Sequence, residues 1–79
     1  MYVRIRIISM IEAITGDRLN NLDGLEDNGT LDSLGIMSLV ADVEHHYKIT
    51  IREEDFIKEN FNSVDAIVKL VEVYTGQGE

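Results

Sequence analysis

The stretch "GTLDSLGIMSLV", residues 29–40, sets a serine between a polar, glycine-containing loop and a run of helix-forming apolar residues. The Ser33 hydroxyl could act as a nucleophile, but a nucleophile elbow needs a glycine two residues earlier, and Leu31 stands there. A base is missing too. The two histidines, His45 and His46, follow twelve and thirteen residues later on the same helical stretch, ~18 Å or more along its axis. Ser33 therefore cannot activate itself, and hydrolysis is the remotest reading. The plainest role for the pair Asp32 and Ser33 is to cap the helix that follows, since both residue types are good N-caps.

Other chemistry is weaker still. The loop "LDGLEDNGTLDS" resembles a calcium loop in composition, yet neither register fits. With Gly29 as the sixth residue, position 1 is Gly24, and with Gly24 as the sixth, position 1 is Leu19. Adjacent histidines with no cysteine and no third histidine make a poor metal site, so no metal is expected. The absence of cysteine also means that any thiol used here must be imported, and it suits a reducing, cytoplasmic setting.

These residues must be held by helices. Val3, Ile7, Met10, Ile11 and Ile14 follow helical spacing, although Val3, Ile5 and Ile7 alternate with Arg4 and Arg6 as a strand would. The helical match is longer, and Gly16 is a suitable stop. A long polar loop, Asp17 to Asp32, follows, with Leu19, Leu22, Leu25 and Leu31 as its only apolar anchors. The second helix should start at or just after Ser33 and direct Ile36, Leu39, Val40, Val43 and Tyr47 at the core. Leu34, Met37 and Ala41 form a second, shorter strip beside that face, either more core or an edge for a partner. Ile49 to Ile51 reads as an extended plug, and a brief third helical turn is expected around Glu53 to Ile57. The last helix begins after the cap Ser63, with Asp65 in its first turn and Val64, Ile67, Val68, Leu70, Val71 and Tyr74 as its stripe. Gly76 and Gly78 let its end fray.

A chain of 79 residues can bury one modest core, so residues 1–79 read as one domain. It lacks the roughly 18 consecutive apolar residues of a membrane span, and the arginines of "MYVRIRIISM" interrupt any signal-type segment. The net charge of −8 repels nucleic acid and anionic lipid and attracts basic protein patches. Residues 17–60 hold eleven acids against four bases, so this field surrounds Ser33.

From Leu31 onward the chain resembles an acyl carrier protein. The likeness rests on "LDSLGIMSLVADVEHHYKITI" and "EEDFIKENFNSVDAIVKLVE". An Asp-Ser-Leu triplet opens the second helix in that family, with apolar residues at the positions of Leu39, Val40 and Val43, an acid at Glu44 and an aromatic at Tyr47. The resemblance implies an all-α four-helix bundle with a short third helix and a long loop between helices 1 and 2. It implies that Ser33, between Asp32 and Leu34, carries 4'-phosphopantetheine, installed from coenzyme A by a phosphopantetheinyl transferase that brings its own catalytic groups. The chain would then be a non-catalytic monomeric carrier, holding an acyl or aminoacyl thioester for loading and transferring enzymes with basic docking patches. Asp32, Asp42, Glu44, Glu53, Glu54 and Asp55 would be the acidic contacts to those partners, with Leu34, Met37 and Ala41 as the apolar strip between them, and Asp32 and Leu34 would also flank the bound prosthetic group. Ser38, where fatty acid carriers often have glutamate, and Gly35 after the triplet look more like aminoacyl or D-alanyl carriers and stand-alone carriers of specialised pathways. A carrier of fatty acid synthesis is the alternative, and an unmodified acidic adaptor is the alternative from another class.

Overall fold

A computed structural model describes residues 2–76, the Tyr2 side chain excepted, so Gly78 lies outside the described residues. Four α-helices follow one another: α1 Tyr2–Thr15, α2 Ser33–Tyr47, α3 Lys58–Phe61 and α4 Val64–Thr75. The central α1 packs against both α2 and α4, and α3 packs against α4. Among the described residues there is no strand, only one isolated bridge between Asp23 and Ser63, and no helix long and apolar enough to cross a membrane.

Burial settles the ambiguous start. Val3, Ile7 and Ile11 are buried at four-residue spacing, whereas Ile5 is 61% exposed, the reverse of what strand alternation requires. Gly16 ends α1 at φ +79°, a left-handed conformation natural to glycine, and its N–H bonds to the carbonyl of Glu12 at 2.8 Å. Leu39, Val40 and Val43 bring α2 to the core, and Val64, Ile67, Leu70 and Val71 bring α4. Ile36, Tyr47, Val68 and Tyr74 are half-buried around them.

The loop between α1 and α2 is part of the core. Leu25 and Leu31 are buried, and Leu19 and Leu22 pack against the cluster. Backbone bonds pin this segment to the junction of α3 and α4: Leu25 N–H donates to Asn62 O at 2.8 Å and Val64 N–H to Leu22 O at 2.8 Å. The Asn62 side chain completes the clasp by accepting from Glu26 N–H at 2.8 Å and donating to Asp27 Oδ2 at 3.1 Å. Lys58 also pairs with Asp27. These contacts, first the hydrogen bond from Lys58 and then that from Asn62, hold the Asp27 carboxyl below its ordinary value.

The third helix differs from expectation. Residues Glu53–Asp55 form a 3₁₀ turn, and the α-helical turn comes later, at Lys58–Phe61. Ile57 is extended (φ −118°, ψ 153°) and breaks the chain between them. The physical reason is Phe61, 3% exposed, whose entry into the core fixes the second turn, while Phe56 and Ile57 stay 44% and 48% exposed. Asn60 Nδ2 donates to the Asp55 carbonyl at 2.8 Å and closes the end of the first turn. Before it, Ile51 is buried and Ile49 half-buried, so this piece does plug the core.

Candidate functional site

Asp32 and Ser33 divide their work at the start of α2. Asp32 is the N-cap, and its Oδ1 accepts from Gly35 N–H at 2.8 Å while its carbonyl accepts from Ile36 N–H at 2.9 Å. Ser33 is thus the first helical residue. It is exposed, and its hydroxyl has no hydrogen-bond partner among the described residues. Nor does any described group accept from the N–H of Ser33 or of Leu34. An exposed hydroxyl beside two unpaired N–H groups, at the positive end of a helix dipole, fits attachment of an anionic phosphoester.

Gly35 sharpens the geometry. A Cβ there would lie 3.3 Å from Asp32 Oδ1 and 3.4 Å from Leu31 Cδ2, so any side chain presses on the capping carboxylate. Removing the carboxylate itself, as Asp32→Ala, should cost about 0.5–2 kcal/mol, read from the urea midpoint at unchanged slope.

Along α2, the apolar strip is solvent-facing. Leu34 is 78% and Met37 67% exposed, and Ala41 is exposed as well, so Met37 is not core. Asp42, Glu53 and Glu54 are exposed. Glu44 and Asp55 are half-buried and already engaged: Glu44 Oε2 accepts from Ile51 N–H at 2.9 Å, and Asp55 accepts from the Tyr74 hydroxyl and lies 4.0 Å from Arg52 Nε. These two acids organise the chain that follows α2 and are less available to a partner than sequence reading expects.

One feature escaped sequence reading. A cleft of about 930 Å³ opens between the C-terminal end of α1, the following loop and the first turns of α2. Asp32, Leu34 and Gly35 line it, and so do Arg18, Asn20 and Ser38. Asp17 to Asn21 show no periodicity, so nothing in their order signals that they face Ser33's neighbours.

Comparison with known proteins places the chain in a family. The family described as "Phosphopantetheine attachment site" matches residues 5–71. The chain is similar to the D-alanyl carrier protein of Streptococcus uberis, 30% identical over 71 residues, covering 87% of this chain and 90% of that one. That of Streptococcus suis is 29% identical over 70 residues, covering 86% and 89%. That of Streptococcus mutans is 24% identical over 71 residues, covering 87% and 90%. The chain belongs to the phosphopantetheine attachment-site family, carrier proteins whose prosthetic group is covalently attached 4'-phosphopantetheine.

Proposed function

We propose that this protein is a single-domain aminoacyl carrier, with Ser33 as the attachment residue and D-alanine or a similar small amino acid as its cargo. The observation that carries the reading is the exposed, unpartnered Ser33 hydroxyl at the first position of α2, inside the segment that matches the family. The D-alanyl carriers among its relatives, with Gly35 and Ser38 beside the triplet, support an amino acid over a fatty acyl chain.

Each residue has a limited task. Ser33 Oγ forms the phosphoester as the pyrophosphate of coenzyme A breaks and adenosine 3',5'-bisphosphate leaves, the serine proton passing to a base on the transferase. Asp32 holds the first turn of α2 rigid, and the unpaired N–H groups of Ser33 and Leu34 favour the added negative charge. The bound group supplies a thiol, which holds the cargo as a thioester. The chain contributes no catalytic group of its own and works as a monomer, in the reducing cytoplasm where such a thiol persists.

Partners of this carrier are a phosphopantetheinyl transferase and the enzymes that load and unload it. Exposed Asp32, Asp42, Glu53 and Glu54 attract their basic patches and speed encounter, while Leu34, Met37 and Ala41 make the apolar contact. Glu44 and Asp55 add to the field from their half-buried positions. Met37→Ala should leave the melting temperature unchanged and lower the transferase's kcat/KM about fivefold or more, the loss of roughly 1 kcal/mol at a contact hot spot. An unchanged kcat/KM would remove Met37 from the docking surface.

The test of cargo is loading. The modified protein is offered ATP, a D-alanine-activating enzyme and D-alanine, or an acyl-loading enzyme and its fatty acyl substrate, and intact mass is read. An alanyl increment that hydroxylamine removes supports the aminoacyl reading; acceptance of the fatty acyl chain alone overturns it.

A further inference from the structure

The cleft beside Ser33 has the wrong chemistry for a core defect. Its wall carries a guanidinium, a carboxamide and a hydroxyl, from Arg18, Asn20 and Ser38, and none of these side chains has a hydrogen-bond partner among the described residues. Arg18 is the one cation among the described residues that lines the cleft, and like Arg6, Lys48 and Lys69 it has no ion-pair partner among them, whereas Arg4 pairs with Asp65, Lys58 with Asp27, and Arg52 with Asp55 and the Tyr74 hydroxyl. The acids of the same wall, Asp17 and Asp32, differ in state, since the Asp32 carboxylate is occupied by Gly35 N–H. The residues on either side of Ser33 in the chain, Asp32 and Leu34, both reach this cleft.

We infer that this cleft is a resting site for the protein's own pantetheine arm between deliveries, with Arg18, Asn20 and Ser38 as its hydrogen-bonding wall. The inference rests on Ser33 being the attachment residue. The arm is an uncharged chain of two amides and a hydroxyl behind a phosphodiester, so it offers alternating donors and acceptors and one negative charge. Asn20 can both donate to and accept from an amide, Ser38 can do either, and Arg18 can meet the phosphodiester, for which its guanidinium is well matched. A covalently tethered ligand needs little affinity to occupy such a wall, because its effective concentration there is high. These contacts are exposed to water and easily exchanged, so the arm leaves when an enzyme docks.

Backbone and side-chain amide NMR shifts of the apo and transferase-treated protein, with intact mass read on the same sample, test the inference. The expected result is a mass gain together with shifts at residues 18–21 and 38, well beyond the immediate neighbours of Ser33. In an Arg18→Gln, Asn20→Ala, Ser38→Ala variant, which removes no recorded hydrogen bond, those distal shifts should collapse to residues 32–36 while the mass gain persists. The modified wild-type thiol should also be alkylated about two- to fivefold more slowly than that of the modified variant. A normal mass gain with shifts confined to residues 32–36, or running along Met37 and Ala41 instead, overturns the resting site and leaves the attachment residue standing. An unchanged mass overturns both.

Discussion

Incubated with coenzyme A and a promiscuous phosphopantetheinyl transferase, the wild-type protein should gain ~340 Da and Ser33→Ala should gain nothing. The effect is all-or-none because, among the described residues, no other serine or threonine hydroxyl is exposed and unpartnered at the first position of a helix. Ser63 is spent as the cap of α4, accepting from Ala66 N–H at 3.0 Å, and Thr30 donates to Asn28. The same substitution should leave stability within about 0.5 kcal/mol, since Ser33 is exposed and its side chain holds nothing together. The two readouts together separate a chemical role from a structural one. A Ser33→Ala protein that still gained the mass would move the attachment elsewhere, and one that unfolded would make Ser33 a part of the scaffold.

The second large effect is expected in the loop. Leu25→Ala should destabilise the protein by about 2–5 kcal/mol, as much as a truncation inside a helix bundle. Loops usually tolerate such changes, but Leu25 is 0% exposed, and its backbone is bonded on both sides, to Asn62 O and from Leu31 N–H. Deleting its side chain therefore empties a closed site between the clasp at Asn62 and the entry to α2. Urea unfolding followed by circular dichroism measures the loss, and a cost under about 0.5 kcal/mol would mean that the segment only drapes over the core.

Legibility in the sequence followed the length scale of the pattern. Helices α1, α2 and α4 declare themselves because their apolar residues recur over three or more turns, and their ends carry Gly16, Asp32 and Ser63 in the right chemical roles. The short third helix does not. One turn has no periodicity to read, and the acidic run Glu53–Asp55 attracted the assignment that belongs to the residues leading to Phe61. The loop's four leucines were visible as anchors, but the partner of the loop was not, because the clasp joins Glu26 to Asn62 across 36 residues. Local pattern carries no information about such pairings.

At the site, the position of Ser33 at the start of its helix was legible from the Asp-Ser-Leu register, and the exposure of Leu34 and Met37 takes them out of the core. The acids were harder. Glu44 and Asp55 look like Asp42 and Glu54 in the sequence, and only their bonds to Ile51 N–H and the Tyr74 hydroxyl set them apart. The cleft lined by Arg18 and Asn20 is a product of how an aperiodic loop returns to α2.

Because the neighbouring aspartate alone closes the first turn, esterifying the serine breaks no bond that the scaffold depends on. Empty, armed and charged forms should then share one helical scaffold, and an enzyme choosing among them has no refolded bundle to read. Discrimination must come from what dangles at its tip, so successive stations on an assembly route can share one grip and differ only in the tunnel that receives the passenger.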